Sequence, residues 1–204
     1  MRVGVLSFQG AVTPHLRMLE SLGVNTVRVT DAQSLNQCDR LVIPGGESTT
    51  MLKLIESNNM WEPLDKFLDS RPCWGTCAGA ILLAKKVSNP SQKSFQKINI
   101  EALRNAYGSQ LDSFKAILNI PNISQNLEVD FIRAPKLRKL DDCVNVLCVH
   151  DQNEVLLQQN HILVSSFHTE LGQDTSLHKY FLKCTGINML LLQRWLSLQR
   201  STRF

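Results

Sequence analysis

The sequence predicts an α/β protein of three layers, with helices on both faces of a mixed, mainly parallel central sheet. Three observations lead there. In the first half, short apolar runs alternate with segments of helical period, as βαβ units do. The first strand-like run, residues 2–7, is nearly all apolar, which fits a parallel strand covered on both faces. The second half changes to a succession of short β-type segments, so the sheet is expected to be mixed.

Taken in order, residues 2–7 read as a buried strand. Residues 14–22 carry Leu16, Leu19 and Leu22 at helical spacing, and Gly23 ends that helix. Residues 25–30 and 40–43 are further strands, and Pro44-Gly45-Gly46 makes a turn. Ser48 or Thr49 is expected to cap a helix running through Met51, Leu52 and Ile55. A helical piece at 61–68, a strand at 72–75 and a helix at 78–86 complete the regular half. Residues 88–97 are polar, contain Pro90 and read as a surface loop. Strands are then expected at 98–101, 113–120, 128–133, 144–149, 155–159 and 161–166, with a turn at Asp151-Gln152-Asn153. A closing helix over 176–184 is expected to continue at 189–198, after a break at Gly186.

A chain of 204 residues, 43% hydrophobic, supports one well-buried core. No linker composition divides it, so 1–204 reads as a single domain, with 185–204 as its tail. The charge of +4, 22 basic against 18 acidic residues, lacks the basic stripe and stacking aromatics of a nucleic-acid surface. Arg194, Arg200 and Arg203 read as a solvated helix end. No signal peptide is legible, and no run approaches the roughly 20 apolar residues that cross a bilayer. Six cysteines follow neither a disulfide framework nor a zinc spacing. The expectation is a cytoplasmic protein with reduced thiols, no metal, no nucleic acid and no membrane.

The chemistry concentrates in three places. Gly75-Thr76-Cys77-Ala78-Gly79 fits a nucleophile elbow between a strand and a helix, where the glycines make room for a sharp turn. The helix N-terminus there favours negative charge on the sulfur; a buried cysteine in a small-residue helix start is the competing reading. Phe167-His168-Thr169-Glu170 follows a predicted strand, and an i, i+2 pair in extended chain points one way, so Glu170 can orient His168 toward Cys77. His15, His150, His161 and His178 lack such a neighbour and read as surface or packing residues. Pro44-Gly45-Gly46-Glu47-Ser48 is the third place. Its backbone N–H groups, with that of Ala78, would form an oxyanion hole; a phosphate loop or a plain turn are the alternatives.

Cys77, His168 and Glu170, in that order on a parallel sheet, resemble the triad of the class I glutamine amidotransferases, which have a flavodoxin-like three-layer fold. Six ordered blocks narrow the resemblance to the glutaminase-subunit family of pyridoxal 5′-phosphate synthase. They are Gly4-Val5-Leu6 with Gln9-Gly10-Ala11, the run from Ile43 to Met51, Trp74 to Gly79 with Leu82 to Lys85, Arg104-Asn105, Tyr107-Gly108-Ser109-Gln110 with Ser113-Phe114, and Ile132-Arg133-Ala134-Pro135. The resemblance implies hydrolysis of L-glutamine to glutamate and ammonia through a glutamyl thioester on Cys77. His168 would move the proton and Glu170 would orient it. Gly46, Glu47, Ser48, Arg104, Ile132 and Arg133 would bind glutamine, and Gly45, Gly46 and Ala78 would bound the oxyanion hole. Gln9 and Gly10 would meet the partner, an oligomeric β/α-barrel synthase subunit that receives the ammonia. No cofactor is implied.

The chain departs from that family at identifiable points. Thr169 stands where the family usually has proline, and residues 88–101 lack the glycine-rich pattern expected ahead of Arg104. Ser7 and Phe8 replace smaller or aliphatic residues, and 185–204 diverges. Two other readings therefore stand beside the first: a triad glutaminase of another pathway, and a non-catalytic regulator on the same scaffold.

Overall fold

The computed structural model describes residues 1–104 and 113–184. Strand β1 (Arg2–Leu6) leads to helix α1 (Val12–Ser21), whose Val12, His15, Leu16 and Leu19 form a buried i, i+3, i+4, i+7 stripe. β2 (Asn25–Val29) is followed by a short helix that the sequence reading did not include, α2 (Ala32–Asn36). A reciprocal capping box of Asp31 and Ser34 opens it. β3 (Arg40–Ile43), α3 (Ser48–Ser57), α4 (Trp61–Leu68), β4 (Cys73–Thr76) and α5 (Ala78–Leu83) complete the first half.

The second half comprises β5 (Ala84–Ser88), β6 (Ile98–Leu103), β7 (Phe114–Ile120), β8 (Ser124–Phe131), β9 (Lys136–Lys139), β10 (Asn145–His150), β11 (Asn153–Gln159), β12 (Ile162–Ser165) and α6 (Ser176–Lys183). Among the described residues the main sheet runs β2-β1-β3-β4-β12-β11-β9-β6-β5, with β10 beside β11. The first five strands pair parallel. From β12 through β11 and β9 to β6 the pairing is antiparallel, and β5 joins β6 in parallel. β7 and β8 form a separate hairpin.

Successive strand residues point to opposite faces, and each face has its own core. Leu6, Ile43 and Val164 pack with Ile55, Leu64 and Leu82 of α3, α4 and α5. Val5, Val42 and Leu163 pack on the other side with Leu16 and Leu19 of α1 and Leu177 and Phe181 of α6. The expected three-layer, mixed and mainly parallel architecture is what the chain forms.

Several local expectations need correction. The helix expected over 78–86 stops at Leu83: Ala84 is extended, and the Leu82 and Leu83 carbonyls accept from the Phe95 and Lys97 N–H groups at 2.7 and 2.8 Å. Pairing of β5 with β6 overrides the helical propensity of Ala84-Lys85-Lys86. The cap of α3 is Glu47 rather than Ser48 or Thr49; its carboxylate accepts from the Thr49 and Thr50 N–H groups. The strand expected at 128–133 begins at Ser124 and ends at Phe131, because Arg133 has φ +45° and leaves the extended region. β9 and β5 were not expected as strands. The 88–97 loop is not wholly a surface feature: Ser94 and Phe95 are buried, and Phe95 stacks on Trp61 with ring centroids 4.1 Å apart. The turn before β11 is as expected, with Asp151 and Gln152 both left-handed. The expected helix at 189–198 and the motif at 105–110 lie outside the described residues.

Candidate active site

Four neighbouring parallel strands, β1, β3, β4 and β12, end at one edge of the sheet, and the residues just beyond those ends line a single cavity of about 690 Å³. This is where an open α/β sheet places its ligands. The register Ser165↔Thr76 sets β4 and β12 side by side, and the Cys77 N–H donates to the Ser165 carbonyl at 2.8 Å. Cys77 therefore starts α5 on a fixed turn, with φ +50° and ψ −100°, a conformation that non-glycine residues rarely hold. Its neighbours are glycines for a steric reason. A Cβ on Gly79 would lie 2.1 Å from the Ile43 carbonyl oxygen, and one on Gly75 would meet the Gly79 backbone at 2.6 Å.

Beyond β12 the backbone of His168 is clamped to β8. The His168 N–H donates to the Asp130 carbonyl at 2.8 Å, and the Asp130 N–H donates back at 2.9 Å. With the main chain held, the His168 Nδ1–H reaches Glu170 Oε1 at 2.6 Å, and the remaining ring nitrogen is free for Cys77. Both His168 and Glu170 are buried. Burial alone would lower the pKa of His168, but its contacts with Cys77 and Glu170, and their charges, raise it to about 10. Burial alone would raise that of Glu170; nearby His15 and His168 bring it down to about 2. An imidazolium facing a carboxylate is thus the resting state at neutral pH.

The Pro44-Gly45-Gly46 turn crosses directly over this pair. A Cβ on Gly45 would sit 2.2 Å from His168 Cε1, so only glycine fits there. The Gly45 carbonyl accepts from the Ala11 N–H at 3.0 Å, and Gln9 Nε2 donates to the Glu47 carbonyl at 2.9 Å. Gln9 and Gly10 therefore lie against the glycine turn from the end of β1. Burial opposes ionisation of Glu47, but hydrogen bonds from Thr49 and Thr50 hold its pKa at about 2; its Oε1 also meets Arg104 Nη2 at 3.3 Å.

Gly10, Gly45, Gly46, Glu47, Ser48 and Cys77 all line the cavity, as do Arg104, Ile132, Arg133 and His168. Ala78 is buried at the first turn of α5, and Glu170 is buried in contact with His168, so neither lines it. The Ile132 carbonyl lies 3.8 Å from Cys77 Sγ. Among the described residues, no cluster of three His, Cys, Asp or Glu side chains is disposed to hold a metal, and no helix is long and apolar enough to cross a membrane. All six cysteines are free.

Sequence reasoning missed Ile81 and Leu171 as cavity walls. It read His15 and His178 only as surface or packing residues, and both are buried. His15 is fully buried with Nε2 3.5 Å from Glu170 Oε1, and its Nδ1 lies 3.2 Å from His178 Nε2. A signal existed: His15 interrupts the apolar stripe of α1, and a polar group in such a stripe needs a partner.

Comparison with known proteins shows the family to which the chain belongs. The model of the SNO glutamine amidotransferase family matches residues 5–186. The pyridoxal 5′-phosphate synthase subunit PdxT of Clostridium acetobutylicum is 47% identical over 185 residues, spanning 90% of this chain and all of that protein. The subunit of the same name from Thermosipho africanus is 45% identical, across 89% of this chain and 97% of its own length. A solved structure described as a glutamine amidotransferase superposes with a TM-score of 0.83 at 38% identity, covering 89% of this chain and 97% of that one. PurLQS from Thermotoga maritima shares the fold at 17% identity, with a TM-score of 0.60 and coverage of 89% and 97%.

Proposed function

We propose, for a chain that belongs to the SNO glutamine amidotransferase family, that it hydrolyses L-glutamine and passes the ammonia to a synthase subunit making pyridoxal 5′-phosphate. The observation that carries the mechanism is the 2.6 Å His168–Glu170 contact beside Cys77 at the carboxyl ends of adjacent strands.

Cys77 Sγ, its proton already taken up by His168, attacks the carboxamide carbon of glutamine. The carbonyl oxygen becomes an oxyanion, received by N–H groups of the Gly45-Gly46 turn and Ala78. His168 gives its proton to the departing nitrogen, ammonia leaves, and a glutamyl thioester remains on Cys77. Water then loses a proton to His168 and attacks the thioester, which releases glutamate and restores the sulfur. Glu170 keeps the imidazole oriented and stabilises its positive form throughout. Arg104 and Arg133 suit the substrate's α-carboxylate, with Gly46, Glu47, Ser48 and Ile132 completing the binding surface. No cofactor takes part.

Gln9 and Gly10 form the surface where the synthase docks. The Gln9 bond to the Glu47 carbonyl and the close packing of Gly10 on Gly45 support this, since the docking face is then continuous with the glycine turn. The partner is an oligomeric β/α barrel through which ammonia travels, and both proteins are cytoplasmic. Residues 1–204 act as one glutaminase domain, with 185–204 a divergent tail.

The test is glutamate release from glutamine, with and without a pyridoxal 5′-phosphate synthase subunit, with Cys77→Ala as control. Activity that rises with the partner and vanishes in the variant supports the reading. Equal activity with and without it points to an acceptor in another pathway. No activity in either condition leaves a regulator on a glutaminase scaffold.

A further inference from the structure

The Glu170 oxygen that accepts from His168 also faces a second imidazole. His15 Nε2 lies 3.5 Å from Glu170 Oε1 and 3.4 Å from Thr76 Oγ1. On its far nitrogen, His15 Nδ1 meets His178 Nε2 at 3.2 Å. Both imidazoles are fully buried, and both pack edge-on against Trp74, with centroids 5.3 and 4.9 Å away. The two rings come from α1 and α6, so two helices far apart in sequence converge on one carboxylate.

The protons on this chain of groups can be assigned from what is satisfied. Burial lowers the pKa of both rings, that of His178 to about 3, so each is neutral and carries one N–H. His178 Nδ1 has no hydrogen-bond partner among the described residues. A bare lone pair is tolerated there better than an orphaned donor, so the His178 proton belongs on Nε2. His15 Nδ1 must then accept, which puts the His15 proton on Nε2, facing the carboxylate. The opposite arrangement would aim a lone pair at Glu170 and strand a buried N–H on His178. The groups that face this chain are Thr76 from β4, His168 and Glu170 beyond β12, and Asp174 just ahead of α6.

We infer that His15 and His178 are positioning residues for the reaction: His178 fixes the His15 proton on Nε2, and that N–H holds the Glu170 carboxylate that orients His168. The inference rests on the assignment of Cys77, His168 and Glu170 as the triad. Glu170 Oε2 has no hydrogen-bond partner among the described residues, so the contacts of the carboxylate with both imidazoles gather on Oε1. At 3.5 Å the His15 Nε2–H adds a close electrostatic contact to the same Glu170 oxygen that accepts from His168.

The first measurement is nitrogen NMR of the intact, histidine-labelled chain at neutral pH, with resonances assigned through single-site variants. Both His15 and His178 are expected as neutral Nε2–H tautomers; an Nδ1–H or charged His15 overturns the proposal. The second is steady-state kinetics with the synthase subunit present. His178→Leu removes the donor while filling the space, and kcat is expected to fall about 10- to 100-fold with KM for glutamine little changed. His178→Gln places an amide N–H near the same point and is expected to recover most of that loss. A packing role predicts the reverse order, with leucine tolerated and glutamine harmful, and that result refutes the proposal. Cys77→Ala separates the two levels: full activity in that variant removes the triad assignment itself. An inactive Cys77→Ala beside a fully active His178→Leu removes only the histidine pair.

Discussion

Cys77, Gly45 and His168 reach the cavity from the carboxyl ends of β4, β3 and β12, whereas Arg104, Ile132 and Arg133 reach it from just beyond β6 and β8. The first group stands on adjacent hydrogen-bonded parallel strands, whose separation of about 4.8 Å is set by the ladder. The second group sits on irregular backbone, with Arg133 at φ +45°. The chain thus puts its proposed reacting groups where the ladder sets the spacing, and the arginines proposed for the substrate carboxylate on irregular backbone. Bond-making tolerates little misplacement, while binding a carboxylate tolerates more.

That division predicts kinetics, and the largest effect should come from the rigid side. Cys77→Ala is expected to lower kcat by about 10⁴-fold or more, read as glutamate release in the presence of the synthase subunit. Glu170→Gln should cost about 10²- to 10⁴-fold, as loss of a buried orienting carboxylate does. It should also move the pH profile. The raised pKa of His168, about 10, keeps the imidazole protonated below that pH, so the wild-type profile should lose activity only as pH rises through about 10. Without the carboxylate, that limb should shift downward, toward the ordinary histidine value of 6.5. An unmoved limb would show that Glu170 does not set the charge state of His168.

Arg133→Leu and Arg104→Leu probe the other region. Each should raise KM by roughly 10- to 150-fold, the loss of a charged hydrogen bond, and change kcat only a few-fold. A kcat loss as deep as that of Glu170→Gln would erase the distinction between the two regions. Thr169→Pro should have the smallest effect. The His168 backbone is already clamped to Asp130, so activity should stay within about twofold. Stability should rise by about 0.4–1 kcal/mol through the unfolded chain, with the buried and unpartnered Thr169 hydroxyl also removed. A melting curve measures it. Lower activity in that variant would mean that the clamp is weaker than the geometry indicates.

What could be read in advance follows the same division. The βαβ half was legible because β1 and β3 are nearly all apolar and α1 buries residues at a 3.6-residue period. Short motifs on those strand ends carried Cys77, His168, Glu170 and the glycine turn. The antiparallel half was less legible: Lys136–Lys139 and Ala84–Ser88 are strands only because β6 lies between them, a fact that no local window contains. Glu47 as the cap of α3 escaped notice because serine and threonine follow it, and side-chain length alone does not reveal which oxygen reaches the N–H groups. His15 was set aside because its partner lies at the other end of the chain.

The pairing of β4 with β12 has one further consequence, for how the molecule comes into being. Trp74 and Ser165, joined by an indole hydrogen bond across that ladder, are 91 residues apart in sequence. Nearly the whole second half must be synthesised and threaded through β5 to β11 before β12 can slot in beside β4. Closing so long a loop is slow, and it precedes the contacts that reward it. A nascent or half-folded chain therefore carries the reactive sulfur without its base. Recovery of glutamine hydrolysis during refolding should follow the last kinetic phase, so the activity itself reports when the fold is complete.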